Sequence, residues 1–341
     1  MTTATRVPIV LLVVLAAGCA HVQRIFDGQP GGIATGTTAG IFIQEENDSI
    51  APGNRDKFYT QGLRWGKTFN RNPQTVDRIA SAVCNAVCRD FSFETVWTSG
   101  IAQTMFTPDD ISIEAPQPYD RPWAGFIYLD NTLRLVDDSP DPKTQIVIEL
   151  QTGTIGRKSG ADWAQAALHS VIGADHPTWH DQLERPLGVE LIYTWNRRFG
   201  NEHVDLLPFA GGAVGTTMLY ANAGAQVRLG WNLSSFFNTA PMQGTLAVGG
   251  QGRPSFEGWV YAGGNATFIP YNYFLRAGDI EPKRRVRDLM AGASVRYRSY
   301  RLTYNLVRRS REFSHPLGPQ FSAHDYGSFV LSYELVIPSS R

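Results

Sequence analysis

The chain has 341 residues, and its 31 lysine and arginine residues balance 31 aspartate and glutamate residues. This balance leaves no net field that would attract nucleic acid, and no acidic or basic tail is present. Charged residues make up only 18% of the chain and aromatic residues 11%, a composition typical of a protein with many strands. Mean hydropathy is -0.21 and no uncharged apolar run of about 18 residues follows the N-terminal segment, which excludes a helical membrane bundle.

The N-terminus has the pattern of an export signal. Arg6 precedes an apolar stretch over residues 7–17, and small residues follow, as in the charged, apolar and cleavage regions of a signal peptide. Residues 1–19 are therefore assigned to the signal and residues 20–37 to a linker. The stretch also has the form of a lipobox ending at Cys19, so lipidation of this cysteine and ordinary cleavage near Ala20 both remain open.

The other two cysteines, Cys84 and Cys88, are four residues apart in a predicted loop. Export favours a small disulfide between them. A zinc site has little support, because no histidine or further cysteine lies nearby in the sequence.

From residue 38 onward the hydrophobic pattern has a period of two, which predicts strand after strand. In the second segment, for example, Leu63 and Trp65 are bulky, whereas Thr60 and Arg64 are polar. Twelve strands are predicted, starting near residues 38, 58, 91, 122, 143, 187, 203, 218, 255, 287, 299 and 324. An even number suits a bacterial single-chain barrel.

A soluble β-sandwich also alternates, so strand length and charge are needed to separate the two folds. Several segments run for about ten residues, the length of a tilted membrane strand, whereas sandwich strands are usually nearer five or six. The polar face repeatedly carries charge, for example at Arg134, Glu190 and Arg296, as a wet lumen permits. We therefore predict an all-β protein with an antiparallel transmembrane β-barrel over residues 38–338.

One stretch departs clearly from this period. Ser159 and Asp162 have the spacing of a capping box, helix formers follow over residues 161–172, and Gly173 can end the helix. This pattern predicts a short helix in a loop between two strands. Gln165 and His169 are four residues apart and therefore share one face of that helix.

Five groups of residues carry a resemblance when they are taken together and in order. They are Glu-Asn-Asp at 46–48, Asp-Lys-Phe-Tyr-Thr-Gln-Gly at 56–62, Asp-Arg-Pro-Trp-Ala-Gly-Phe at 120–126, Gly-Thr-Ile-Gly at 153–156 with Gln-Ala-Ala-Leu-His at 165–169, and Ile-Gly-Ala-Asp at 172–175 with Trp-His-Asp-Gln-Leu at 179–183. This set resembles the outer-membrane lipid A deacylase family, from about residue 40 to residue 184. The resemblance implies a twelve-stranded barrel in the outer membrane of a Gram-negative bacterium, with its site between the wall and a loop helix. It also implies that the substrate is the lipid A of lipopolysaccharide.

Carried over residue by residue, the resemblance implies that His169 is the general base that activates water. Asp48 would bind a calcium ion, Asn47 would help to hold the metal or the ester carbonyl, and Thr60 and Gln165 would line the site. The chemistry is consistent, because a neutral imidazole can accept a proton from water and a hard dication can stabilise an oxyanion. No serine nucleophile is then needed.

The remaining site residues follow from the same resemblance. Asp175 stands where the family has an acidic residue shortly after the histidine, although its side chain is one methylene shorter. Lys57, Lys67, Arg64 and Arg121 are the candidates for holding the phosphates of the lipid. The strand alternation predicts that Thr60 points toward the lumen.

The leading hypothesis is thus a calcium-dependent esterase, a lipid A 3′-O-deacylase, that removes an ester-linked acyl or acyloxyacyl chain. A broader outer-membrane phospholipase is the alternative within the enzyme class. A barrel without catalysis, with a structural or transport role, is the alternative outside it. Nucleic acid is not expected as a partner.

Overall fold

The computed structural model describes residues 38–51, 58–69, 77, 78, 80–82, 93–137, 143–233, 256–315 and 323–334. Twelve long strands dominate this part of the chain: β1 Thr38–Asn47, β2 Phe58–Phe69, β3 Phe93–Thr107, β4 Ala124–Asp137, β5 Thr144–Ile155, β6 Arg185–Arg197, β7 Val204–Gly215, β8 Met218–Trp231, β9 Phe256–Asn272, β10 Arg285–Tyr297, β11 Tyr300–Arg309 and β12 His324–Glu334. All begin within two residues of the predicted starts. Every strand pairs antiparallel with the next, and β12 pairs with β1, so the sheet closes into a barrel.

Shorter elements lie in the connections. The α-helix α1 spans Ala161–Ile172, 3-10 helices span Asp48–Ile50, Arg157–Ser159 and Tyr273–Leu275, and two-residue strands span Phe199–Gly200, Glu281–Pro282 and Phe313–Ser314. Within the described residues, no helix is both long and apolar enough to cross a bilayer. The predicted signal over residues 1–19, the linker, Cys84, Cys88 and residues 335–338 all lie outside the described residues.

The two faces of the wall differ in polarity, as the alternation predicted. Large apolar side chains are exposed on the outer face, among them Leu63, Leu129, Leu191 and Leu289, the last 67% exposed. Because strand residues alternate between the two faces, the intervening positions line the interior. Such an apolar outer surface is what a wall embedded in lipid requires.

The described part of the interior contains many buried ion pairs. Arg64 contacts Asp130 and lies 3.7 Å from Glu149, and all three side chains are buried. The Asp205 carboxylate accepts from Arg228 at 2.6 Å and from Arg198 at 2.8 Å. Since a buried charge is costly unless it is paired, these networks explain why so many charged residues occur on the inner face.

Both described termini of the barrel lie at one end, which we call the terminal end; the opposite end is the loop end. The connections 108–123, 156–184 and 273–284 lie at the loop end, whereas the connections 70–92 and 232–255 join strands at the terminal end. In the proposals below, we take the loop end as the outward-facing end. A cluster of Phe58, Leu275 and Phe313 packs across it. The α1 helix belongs to this end.

Candidate functional site

Glycines set the path of the chain around α1. Gly156, Gly160 and Gly173 have φ angles of 102°, 68° and 71°, which other residues adopt only with strain. Gly160 is the N-cap of the helix, and no side chain caps it, so the predicted capping box is wrong although the predicted helix is confirmed. At the other end the N–H of Gly173 donates to the carbonyl of His169 at 2.8 Å, the usual left-handed ending.

The start of α1 packs on the outer face of the wall, over β3 and β4. Ala161 belongs to an apolar cluster with the outward-facing Met105, and the Gln103 amide donates to the carbonyl of Ser159 at 2.6 Å. Gly125 on β4 makes this approach feasible, because a methyl group there would lie 2.3 Å from the Ala161 Cβ. The helix therefore lies on the lipid side of the barrel, near the loop end.

One register row links this helix to the end of β1. Gly125 is paired with Met105, Met105 with Gln61, and Gln61 with Asn47. Paired residues in neighbouring strands share one face of the sheet, so all four belong to the outer face at one level. Strands are about 4.8 Å apart, so the row is roughly 14 Å long. A helix of twelve residues, about 18 Å in length, is long enough to cover it.

Gln165 and His169 form a buried stripe on α1 together with Ala161. Gln165 is 1% exposed and His169 is 5% exposed, so two polar side chains of a surface helix are turned toward the protein. The indole N–H of Trp179 donates to the Gln165 side-chain oxygen at 2.7 Å, and the Trp179 ring packs on Trp123 with centroids 4.9 Å apart. The connection after the helix thus holds the amide in one orientation.

The backbone after α1 also orients His169. The imidazole Nδ1 lies 2.5 Å from the carbonyl oxygen of Asp175. A carbonyl oxygen can only accept, so Nδ1 carries the proton, and the neutral ring then has its basic lone pair on Nε2. Asp175 therefore contacts His169 through its main-chain carbonyl, and Asp175 itself is exposed.

This geometry predicts that Asp175→Ala changes the rate of the catalysed reaction less than about threefold, because alanine retains the carbonyl that orients His169. Measured kcat and KM of the purified variant would check it. Asp175→Pro is the contrasting variant, because a fixed φ disturbs the same turn, and we expect it to lose most of the activity. A large loss in Asp175→Ala would show that the carboxylate itself takes part.

Asn47 and Asp48 lie where β1 ends. The Asn47 side-chain oxygen accepts from the N–H of Ser49 at 2.7 Å and caps the 3-10 helix Asp48–Ile50. Asp48 is the first residue of this turn and is 3% exposed. The turn packs against β12 and β2. Both residues therefore lie at the loop end. Asn47 is the last residue of β1 and pairs with Gln61 on β2, and Asp48 follows it.

Thr60 lies at a bulge in β2, where the register against β3 shifts between Tyr59 and Gln61. The predicted direction of Thr60 assumed unbroken alternation, and the bulge interrupts it. Tyr59 takes the inner position, where its hydroxyl donates to Glu46 at 2.7 Å. The Thr60 hydroxyl is buried and lies 2.6 Å from that of Thr107.

Sequence reasoning missed Glu45 and Gln61. The Gln61 amide donates to the Glu45 carboxylate at 3.0 Å, and Glu45 is only 5% exposed although it lies in the outward phase of β1. The sequence feature that could have revealed Glu45 is the run Gln44-Glu45-Glu46. In this run a carboxylate occupies an outward-facing position, and such positions are apolar elsewhere in the wall. Glu45 thus places a buried carboxylate two positions before Asn47, and Gln61 donates a hydrogen bond to it.

The structure does not bring the predicted phosphate-binding residues together. Arg64 faces the interior and is paired with Asp130. Arg121 is also buried, with its guanidinium 2.7 Å from Glu312 and 4.3 Å from the centre of the Phe106 ring. Lys67 is on β2 opposite Ile41, toward the terminal end and away from α1, with its ammonium 5.3 Å from the Trp65 ring. Lys57 lies outside the described residues.

The donors at the end of β1 are of the kind that calcium takes. Asp48 offers a buried carboxylate and Asn47 an amide oxygen, and calcium prefers such hard oxygen ligands. No group of three or more His, Cys, Asp or Glu side chains suited to a metal occurs in the described part of the chain. A calcium ion there would draw its other ligands from main-chain carbonyls, water or substrate.

One solved structure and one family model agree with this architecture. The solved structure of LpxR from Salmonella typhimurium superposes with a TM-score of 0.69 at 19% identity, covering 87% of this chain and 100% of that chain. The β domain of the Bordetella autotransporter BrkA reaches a TM-score of 0.45 at 9% identity, covering 88% and 100%. No curated protein matches the sequence. The family model described as outer membrane protein LpxR matches residues 9–335. The chain therefore belongs to the LpxR family of outer-membrane proteins.

Proposed function

We propose that this protein is a hydrolase that removes an ester-linked acyl chain from the lipid A part of lipopolysaccharide, at the 3′ position. The observation that carries the proposal is the buried pair Gln165 and His169, which α1 turns toward the protein at the rim of a lipid-facing wall. A site on the outer side of the barrel is reached from the outer leaflet, where lipopolysaccharide resides. Membership in the LpxR family supports the same activity.

His169 would act as the general base. Its Nε2 accepts a proton from water as the water oxygen attacks the ester carbonyl carbon, and the proton then passes to the departing alkoxide. The C–O ester bond breaks, and the products are a fatty acid and the sugar alcohol. The Asp175 carbonyl at Nδ1 holds the ring in the required tautomer and stabilises the imidazolium that forms transiently.

Gln165 would stabilise the negative oxygen of the tetrahedral intermediate. Its side-chain oxygen is fixed by Trp179, which directs the amide N–H groups to the other side. A donor held in place before the reaction costs no reorganisation when charge develops. Asn47 and Thr60 would line the same cleft from the wall.

Calcium is part of the proposal. Asp48 and Asn47 would hold the ion, and bound calcium would supply positive charge that polarises the ester carbonyl. Because Asp48 is buried, its carboxylate would attract the cation with little screening by water.

The test of the proposed function is the lipid A acyl pattern of cells that express the protein. For cells that express the wild type, we expect mass spectra to show loss of the 3′ acyl or acyloxyacyl group from lipid A; for cells that express Asp48→Ala, we expect an unchanged pattern. With purified protein in micelles, chelation of calcium should likewise leave the acyl pattern unchanged. Asp181→Asn is the matched control, because Asp181 is an exposed acidic residue of the same connection and asparagine tolerates its left-handed φ of 50°. This variant should retain activity. An unchanged pattern with the wild type would refute the deacylase assignment.

The competing functions make different predictions. A general phospholipase would release fatty acid from phospholipid micelles, which we do not expect at a comparable rate. A transport role gains no support from the interior, where Arg64, Arg134, Arg228 and Arg301 are fully or almost fully buried.

A further inference from the structure

Exposed basic residues gather at the loop end of β9, β10 and β11, across the barrel from the contact of α1 with β4. The connection 273–284 also reaches Pro118, whose carbonyl accepts from the N–H of Asp279 at 2.6 Å. We call this set the basic rim: Arg276, Lys283, Arg284, Arg285, Arg287 and Arg308. The candidate site uses β1 to β4. Gly125 on β4 and Arg287 on β10 are six strands apart in the closed order of twelve, about 29 Å along the wall.

Three members of the basic rim lie on the outer face. Arg285 and Arg287 are exposed alternate residues of β10, while Val286 between them is buried, so both point away from the interior and are about 7 Å apart. Arg308 on β11 pairs with Leu289, which makes it a diagonal neighbour of Arg287, roughly 7–8 Å away. Three guanidinium groups can therefore converge on one anion.

The outer-face arginines mark the upper edge of the apolar surface. Leu289, one pleat below Arg287, is 67% exposed, and Phe268, which pairs with Arg285, is 47% exposed. In an outer-membrane barrel this edge lies at the level of the lipid head groups. A lipid could thus place its acyl chains on the apolar wall and its head group against the arginines.

A cavity of about 320 Å³ adjoins this edge and is lined by Arg276, Lys283 and Arg284. Glu312 also lines it, but its carboxylate accepts from Arg121 at 2.7 Å. Burial disfavours the charged form of Glu312, yet the cations of Arg121 and Arg309 outweigh burial and lower its pKa to about 2. Its negative charge is thus already balanced by these buried partners and does not offset the cations of the cavity.

The basic rim has few acidic partners within the described residues. Arg308 has one acidic neighbour, Asp325, which is its cross-strand partner at 3.9 Å and is about one-third exposed. Arg285 and Arg287 have no carboxylate within 4 Å in the described part of the chain. Clustered guanidinium groups that repel each other are costly unless an anion joins them, and arginine forks match phosphate oxygens.

We propose that the basic rim binds a phosphorylated lipid of the outer leaflet as a second lipid site, separate from the catalytic one. Phosphate oxygens would contact the arginines of the rim, and acyl chains would lie along the apolar face below. The lipid would be retained through its phosphate and would not be hydrolysed, because no general base of the kind that His169 supplies lies among the rim residues. The site requires only the barrel and its membrane, so it does not depend on the proposed reaction.

The test counts lipids bound to protein purified in detergent, by native mass spectrometry with bisphosphorylated lipid A. His169→Ala serves as the background, so that bound lipid is not consumed. We expect two lipids per protein in this background, and a roughly tenfold or greater loss of the second one after Arg285→Gln, Arg287→Gln and Arg308→Gln are combined. Arg78→Gln with Arg298→Gln, exposed arginines outside the rim, is the matched control and should keep both lipids.

Two further arms identify what is recognised. Dephosphorylated lipid A should occupy only one site, and inorganic phosphate at the same concentration should not displace the second lipid. The proposal is overturned if the triple variant binds as many lipids as the background protein, or if inorganic phosphate alone empties the rim. A background protein that binds one lipid, and loses it in the triple variant, leaves the rim in place and refutes instead the lipid A site beside α1. A variant that binds one lipid fewer and also shows a raised KM in the His169-containing enzyme would mean that the rim holds substrate, which likewise overturns a separate site.

Discussion

Replacing His169 with alanine is expected to abolish acyl release while the barrel stays folded. A general base contributes about 10²–10⁴-fold to a rate, and the imidazole is the group at the buried stripe of α1 that can accept a proton near neutral pH. The strand ladder does not involve this residue, because α1 packs on the outside of β3 and β4. Folding and catalysis should therefore separate in this variant.

The measurement is the rate of fatty acid release from purified protein in micelles, together with the lipid A pattern of expressing cells. His180→Ala is the matched control, since His180 is exposed in the same connection and should keep the wild-type rate. Heat-dependent gel mobility reports whether the barrel has formed. If the His169→Ala protein is folded and retains more than a tenth of the wild-type rate, another group is the base.

Gly125→Ala is the second substitution with a large expected effect, although Gly125 carries no chemistry. The added methyl group would lie 2.2 Å from the Ser159 hydroxyl oxygen and 2.3 Å from the Ala161 Cβ, far inside contact distance. The start of α1 must then move away from the wall. A shift of about 1 Å in a catalytic group costs roughly 10²-fold in rate, so we expect a loss of that size, mainly in kcat.

A matched control for Gly125→Ala is Gly258→Ala on β9. A Cβ at Gly258 would meet only the ring of Phe256, at 3.2 Å, and this glycine is remote from α1. We expect that variant to keep both its rate and its thermal stability. Equal activity in Gly125→Ala and the wild type would show that the position of α1 against β4 does not matter for the reaction.

The wall and the helix could be predicted from the sequence because each has a strong local period. The twelve strand starts needed only alternation and turn residues, and α1 needed only its helix formers and Gly173. The bulge at Thr60 could not be predicted, because it depends on which residues of β3 pair with Tyr59 and Gln61. One extra residue in a ladder reverses the faces beyond it without changing the composition.

The candidate site shows the same division. His169 and Gln165 could be placed on one helix face from their spacing. Their partners, Asp175 and Trp179, lie in an irregular connection that has no hydrophobic periodicity from which its path could be predicted. In the sequence, charge alone makes Arg64 and Arg121 candidates for phosphate ligands. Their partners, Asp130 and Glu312, are far away in the sequence, so only the closed sheet reveals that these cations are already neutralised.

The buried ion pairs of the interior have a consequence for the proposed reaction. A hydrolase that worked on the outer face of its own wall would need no aqueous passage through them. Lipid remodelling by the proposed reaction would therefore not require the barrel to conduct solutes.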